Sequence, residues 1–264
     1  MKKLAVVLVL ISFLSLNAKP IELKFLEGGF HILSYDYGEF SNNSVLDSEK
    51  SNFFKIGGLN FRAEFEIKES FILGASFEYS IGKTTYDGQT QSGKKLNYEH
   101  PGVLLLQPEL YIKKELPMDF YSITPRFGIG YRYWERGKGN FTGDYDETYE
   151  WPYWFMGVEL KSEITDKFTT AIILNYQRAF TAKMTDYAGE INTFDLKTVD
   201  GFSISIPFEY KITATYSVIA EYKYDFWDIQ GSDGVYDNVL DATYYEPPSE
   251  TSNQYLSLKL RIYY

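Results

Sequence analysis

From residue 58 onward the side chains alternate between apolar and polar with a period of two, and the alternation recurs nine times before the chain ends. Successive side chains of a β-strand point to opposite faces, so each such segment reads as a strand with two chemically different sides. In residues 58–67, Leu59, Phe61, Ala63, Phe65 and Ile67 share one face, and Gly58, Asn60, Arg62, Glu64 and Glu66 share the other. The pattern restarts at 71–82, 104–113, 121–133, 154–164, 168–177, 202–212, 216–226 and 256–264. Residues 21–33 supply a tenth strand, with a bulge expected at Gly28-Gly29 where the parity breaks. Helical periodicity is found nowhere in this stretch, so the fold class is all-β.

Spacing between the strands alternates as well. The connections at 68–70, 117–119, 165–167 and 213–215 are tight, whereas 34–52, 84–98, 135–150, 181–198 and 228–252 are long and polar. In an up-and-down meander all the long connections fall at one end. An even strand number with short turns at one end and long loops at the other is the layout of a bacterial transmembrane barrel. Each segment also reaches the ~9–11 residues that a tilted strand needs to cross hydrocarbon.

The start of the chain has a different character. Lys2 and Lys3 precede an apolar run from Leu4 to Leu14, and Ala18 offers a small residue before a cut. Residues 1–18 therefore read as a secretory signal peptide, and 19–264 as the barrel domain with five extracellular loops. The apolar run is too short for the ~20 residues of a spanning helix. Loss of Lys2 and Lys3 takes the formal charge from −10 to −12. That acidic balance is unsuited to nucleic acid. The absence of cysteine excludes disulfides and thiol chemistry, and 18% aromatic residues exclude disorder.

Period two does not by itself say which face meets lipid; a soluble barrel would turn its apolar face inward. Three features place it outward. Aromatic residues gather at both strand ends: Tyr131, Tyr133, Trp151, Trp154, Tyr176, Phe202, Tyr224 and Phe226 toward the long loops, and Phe71, Tyr121, Phe168, Tyr210, Tyr216 and Tyr264 toward the short turns. Two such bands match interfacial girdles. The polar face is balanced in sign. Its bases are Arg62, Lys113, Arg126, Arg132, Lys161, Lys211, Lys223, Lys259 and Arg261; its acids are Glu64, Glu66, Glu78, Glu109, Glu159, Glu163, Glu209, Glu221 and Asp225. Such a set suits an enclosed ion-pair network, because buried charges need partners. Finally, the chain ends on Leu258, Leu260, Ile262 and Tyr264 on the apolar face, which resembles the C-terminal strand that bacterial barrel-assembly machinery recognises. Arg178 shares the parity of the apolar face near the long-loop end, where it could meet a phosphate of lipid or lipopolysaccharide or mark a register break.

The ten-stranded plan resembles the omptin-like outer-membrane barrels. The segment Gly128-Ile129-Gly130-Tyr131-Arg132-Tyr133-Trp134, followed by Tyr149, Trp151, Pro152 and Tyr153, is similar to a pattern of non-proteolytic relatives of that fold. Omptin proteases cut peptides with an acidic pair facing an Asp-x-His pair at the barrel mouth. This chain has no Asp-x-His, and Asp87 with His100 does not rebuild it. The only histidines are His31, expected as a hydrogen-bonded lumen residue, and His100, a rim residue or a base at the mouth. Nucleophile elbow, phosphate-binding glycine loop and zinc spacing are all missing, and Gly128-x-Gly130 precedes no helix. The acidic loop residues Asp144, Asp146, Glu147 and Glu150, with Asp228, Asp233, Asp237, Asp241, Glu246 and Glu250, lack full calcium-ligand spacing. No catalytic residue, metal or cofactor is expected. The resulting expectation is a non-enzymatic surface barrel with a lumen largely closed by ion pairs; a narrow porin-like channel and an omptin-like protease are the alternatives.

Overall fold

The computed structural model describes residues 21–41, 44–68, 70–89, 95–137, 145–187, 191–237 and 241–264. The expected signal peptide lies outside the described residues. Sixteen strands are found among them: β1 (Glu22–Ser41), β2 (Ser44–Lys50), β3 (Ile56–Lys68), β4 (Phe71–Gln89), β5 (Lys95–Lys114), β6 (Leu116–Pro117), β7 (Tyr121–Arg136), β8 (Glu147–Glu163), β9 (Phe168–Ala179), β10 (Ala182–Asp186), β11 (Asn192–Leu196), β12 (Val199–Lys211), β13 (Tyr216–Ile229), β14 (Val235–Asp237), β15 (Ala242–Tyr244) and β16 (Ser249–Tyr263). Ten of them close a ring in the order β1, β3, β4, β5, β7, β8, β9, β12, β13, β16 and back to β1, every pair antiparallel. The remaining strands extend or decorate this wall. β2 continues the line of β3 between β1 and β4, and the β10–β11 hairpin joins the wall through β8.

The register fixes the shape of the barrel. Following paired residues around the ring from Gly38, through Glu250, Asp228, Asp200, Arg178, Trp154, Ile129, Leu110, Ala75 and Ala63, returns to β1 at Leu26, twelve residues lower. With ~3.3 Å per residue and ~4.8 Å between strands, that stagger over ten strands gives a tilt of about 40° and a backbone diameter of roughly 20 Å. The tilt lies within the range of membrane barrels.

The alternation sorts side chains by face throughout. Phe61, Leu110, Ile129 and Leu258 point outward and stay about half exposed (52%, 54%, 50% and 45%). Glu64, Arg132, Asp225 and Lys259 point inward and are buried. All four tight turns sit at one end. Two of them repeat one device: the hydroxyls of Thr165 and Thr213 accept backbone N–H bonds from Phe168 and Tyr216, at 3.0 Å each. Ser70, in the first turn, takes the left-handed conformation (φ 74°).

Two expectations need correction. No bulge interrupts β1 at Gly28-Gly29, where pairing runs unbroken on both sides; the register shifts instead between Leu23 and Phe25. The apolar–polar parity breaks in the sequence because Phe25, Leu33 and Tyr35 are apolar yet point into the barrel. The second concerns the long connections, which are largely β-structure. β1 runs on to Ser41, β4 to Gln89, β8 begins at Glu147, and β2, β10, β11, β14 and β15 all lie within ranges read as loop. Polar composition there reports contact with water on the outer face and not the end of the strand. Trp151, grouped with the outer girdle, points inward and is fully buried, because it shares parity with Tyr153 and Phe155.

The outward face sets a specific expectation. Leu110→Arg, at mid-wall, should lower stability by about 2–4 kcal/mol relative to the same change in a water-facing loop. Equilibrium unfolding in lipid vesicles measures this, with the gel shift between unboiled and boiled samples reporting the folded fraction.

Candidate functional site

The barrel interior is layered by chemistry, and each layer follows from which inward side chains the register brings level. Nearest the short turns, Glu27 receives Lys259 (3.2 Å) and Arg261 (2.6 Å). Lys259 also reaches Glu221 (2.9 Å), and Arg261 reaches Glu209 (2.7 Å). Across the lumen Lys113 bridges Glu64 (2.8 Å) and Glu159 (3.2 Å), and the Tyr111 hydroxyl donates to Glu64. Lys161 lies 3.6 Å from Glu115; Glu66, Glu163 and Lys211 stand at the short-turn rim. Glu27 is the hub that sequence reasoning missed. The bulge assumed one residue later hid the fact that it shares the parity of His31.

Above this lies a small polar cavity of about 40 Å³, room for a few waters. Arg62, Glu78, Glu109, Arg126, Glu221 and Lys223 are among its lining residues. Lys223 pairs with Glu78 at 2.6 Å, and Glu109 accepts from Tyr153 and Ser76. His31 bonds Ser80 at 2.7 Å in the buried wall beside it.

The next layer is aromatic. Tyr35, Tyr37, Trp134, Tyr149, Trp151, Tyr153, Phe155 and Trp227 form one buried cluster with aliphatic neighbours such as Leu33, Ile56, Val103 and Leu105. Trp151 and Tyr153 meet Trp227 edge-on at 5.3 and 5.2 Å, and Trp134 stacks on Tyr149 at 4.4 Å. The glycines of β7 make this possible. A Cβ on Gly128 would come within 2.5 Å of the Phe155 ring, and one on Gly130 within 2.4 Å of the Tyr153 ring. The Gly-x-Gly spacing is thus a seat for two rings of β8. Arg132 lies at the base of the cluster, 2.8 Å from Asp225, which also accepts from the Trp227 indole N–H at 3.0 Å.

The mouth is a cluster of carboxylates. Arg136 stands five residues beyond Tyr131 on β7, roughly 12 Å further from the bilayer centre at ~2.5 Å of axial rise per tilted residue. Its guanidinium meets Glu49 (2.7 Å), Glu147 (2.5 Å) and Glu39 (3.5 Å). His100 binds the other oxygen of Glu49 at 2.9 Å, joined there by the Thr84 hydroxyl. Tyr86, Tyr98 and His100 pack their rings together at 5.1–5.6 Å. Glu246 folds over the mouth from the segment after β15 and accepts the Tyr149 hydroxyl at 2.6 Å. Burial works against ionisation of Glu49, but Arg136 and His100 override it and hold the group down at about 2. Glu39 is pushed up to about 8 by burial and by Asp47 beside it. Burial also raises Asp47, Glu147 and, most strongly, Glu246.

This mouth does not bring Asp87 and His100 together. His100 is buried inside the wall, whereas Asp87 is exposed and has the opposite parity to inward Tyr86 on β4. The mouth's acids lie at positions 39, 47, 49, 147 and 246, so no local spacing in the sequence announces them. Among the described residues no three His, Asp or Glu side chains are placed to hold a metal ion. On the outer surface Arg178 pairs in register with Trp154 and Asp200, with its Nε 3.7 Å from Asp200.

No family model and no curated protein matches this chain. Solved structures do. The outer membrane protease OmpT from Escherichia coli aligns over 95% of this chain and 99% of its own, at 13% identity and a TM-score of 0.66. The chain has the OmpT barrel fold. A looser likeness extends to the COG4313 outer membrane channel from Pseudomonas putida F1 (9% identity, 94% and 98% covered, TM-score 0.43). Ail of Yersinia pestis is more distant again (10% identity, 91% and 99% covered, TM-score 0.32), and at those scores neither bears on function. The ten-stranded, closed, antiparallel barrel expected from the sequence is what the chain forms, and its likeness is to outer-membrane proteins.

The layering makes the Arg132–Asp225 pair a sensitive point. Removing one partner of a buried pair strands the other charge, so Asp225→Ala should destabilise by about 3–5 kcal/mol, and Arg132→Met in the same chain should restore part of it. Denaturant unfolding of the single and double variants in vesicles gives the comparison.

Proposed function

We propose that the protein is a non-enzymatic barrel of the bacterial outer membrane, exported through its cleaved N-terminal peptide, that serves a structural or surface-interaction role. The observation that supports this reading is the dense packing of charged and aromatic side chains inside the barrel. Among the described residues, ion-pair layers below and the ring cluster above enclose a small cavity of about 40 Å³, and ten strands enclose little more space than side chains can fill. What extends into the medium is an acidic, tyrosine-rich rim. Its partners in this reading are outer-membrane lipids and lipopolysaccharide along the wall and an unidentified extracellular ligand at the rim. In this reading Arg178 meets a lipid phosphate, and Leu258, Leu260, Ile262 and Tyr264 engage the assembly machinery.

The chemistry of the mouth supports the non-enzymatic reading. A carboxylate–histidine pair activates water only when water can reach it, and both oxygens of Glu49 are already engaged by Arg136, His100 and Thr84. The Arg136 guanidinium lies between Glu49 and Glu147 and pairs with both.

Two measurements test this reading. In planar bilayers the protein should show no steady conductance, while the double variant Trp151→Ala/Trp227→Ala, which removes the broadest rings of the upper seal, should conduct. Steady current through the unaltered protein would replace this reading with a narrow channel. Incubation with basic peptides should leave them intact; cleavage lost in His100→Ala would replace it with a protease.

A further inference from the structure

Outside the lumen the barrel carries a further cavity, of about 520 Å³, on the outer wall where β2, β1, β16 and β13 run side by side. A volume of this size suits a small ligand. Its floor consists of small outward residues. Gly38 on β1 pairs with Ser48 on β2 and with Glu250 on β16, and Ser252 lies between Asp36 and Phe226 in the ladder. The walls around this floor are aromatic. Phe226 of β13 stands beside Ser252, with Tyr224 next to it on the same face. On the other side the Phe40 ring leans back over Gly38, where a Cβ would lie 3.5 Å from the ring tip. The β1–β2 ladder slips by one residue between Glu39 and Phe40, with Leu46 as the extra residue, and this bulge brings Val45 opposite Phe40 on the groove side.

Register sets the height of the groove. Tyr224 pairs through Gln254 with Ser34, so Gly38 stands four residues, roughly 10 Å, further out along β1 than that girdle row. The groove thus begins at the upper girdle and opens sideways into the medium, across the wall from the carboxylate mouth. Charge around it is uneven. Asp36 is paired with Lys50 at 3.1 Å. Glu250 heads a row of outward acids on adjacent strands, with Glu250 opposite Asp228 and Asp228 opposite Asp200. Like charges directly opposite one another in a ladder repel. Among the described residues the row's one basic partner is Arg178, 3.7 Å from Asp200 at the end away from the groove. At the groove end Glu250 is exposed and forms no ion pair with a described residue.

We propose that this groove binds a cationic saccharide from the medium, an oligosaccharide of amino sugars. A sugar ring offers two chemistries, a face of C–H groups and a belt of hydroxyls. Phe226, Tyr224 and Phe40 present apolar ring surface to the first. The Glu250 carboxylate and the hydroxyls of Ser48 and Ser252 present hydrogen-bonding groups to the second. An ammonium group on the sugar answers the Glu250–Asp228 row with charge-assisted hydrogen bonds, which a neutral sugar cannot supply. The same row repels phosphate, which argues against a lipid phosphate as the occupant. The assignment names a ligand for the surface-interaction role and rests on that reading; it needs no open lumen, because the groove lies wholly on the outer wall.

Titration calorimetry on the folded barrel in uncharged detergent micelles tests this, with glucosamine tetramers as the probe at about pH 6, where their amines are protonated. Binding should be saturable. Cellotetraose, which has the rings without the charge, and spermine, which has the charge without the rings, should each bind at least about tenfold more weakly. Glu250→Gln and Phe226→Leu should each lower the affinity for the amino sugar about tenfold, as expected for loss of one charge-assisted hydrogen bond or one aromatic contact. Asp195→Asn, which removes the same charge from the exposed face of β11, should leave it unchanged. The gel shift of unboiled samples shows that each variant is folded. Spermine binding as tightly as the amino sugar, an equal loss in Asp195→Asn, or no saturable binding to the folded barrel overturns the proposal. Those outcomes leave the conductance and peptide-cleavage results untouched, so failure of the groove is distinguishable from failure of the surface-protein reading.

Discussion

Backbone hydrogen bonding in hydrocarbon decides most of this structure. A strand edge exposed to lipid would leave its N–H and C=O groups without partners, so a sheet that crosses the bilayer has to close on itself. Closure with ten strands and a stagger of twelve leaves a tube too narrow for a wide channel and too wide to be filled by small residues. Everything inside answers that geometry. Long charged side chains reach across the lower half and meet in pairs, and flat rings fill the upper half, two of them seated over glycines on the neighbouring strand.

The layering also explains why the interior can hold so many charges. A buried ion loses solvation, and attraction to one partner offsets that loss only when further hydrogen bonds satisfy the remaining oxygens and protons. Glu27 meets Lys259 with one oxygen and Arg261 with the other, and Glu64 meets Lys113 and Tyr111; Asp225 takes Arg132 and Trp227 on one oxygen and leaves its other oxygen, with Nε and Nη2 of Arg132, without a protein partner. Arg126 is held differently, its guanidinium lying over the rings of Tyr111 and Phe155 at 4.5 and 5.1 Å. The mouth departs from this balance: Arg136 meets Glu39, Glu49 and Glu147 together.

The ten spanning strands and their outward faces were legible in the sequence because period two is a local signal, repeated wherever one side meets lipid and the other does not. Leu59 through Ile67 carry it without interruption. It fades where both sides of the wall are alike. Beyond the bilayer the outer face meets water and the inner face becomes aromatic, so Trp151 looks like a girdle residue, Tyr35 and Tyr37 look like loop, and strand continues where polar composition suggested loop. The mouth was illegible for a different reason. Glu39, Glu49, Glu147 and Glu246 come together only because the ring brings β1, β2, β8 and the end of the β13–β16 connection to one opening, and no spacing along the chain encodes that. The charged residues of the polar face could be named from parity, but which acid faces which base depends on the twelve-residue stagger, a property of the closed barrel.

Tryptophans offer the most direct test of the orientation on which all of this rests. Trp154 points outward at the upper girdle against Phe127 and Tyr176, whereas Trp227 lies in the barrel centre with no exposed surface. Two variants, each retaining one of these as its sole tryptophan, can be placed in vesicles of lipids brominated on their acyl chains. The fluorescence of Trp154 should be strongly quenched and that of Trp227 nearly untouched. Quenching of Trp227 with Trp154 spared would mean that the apolar face points inward, and the account would fail.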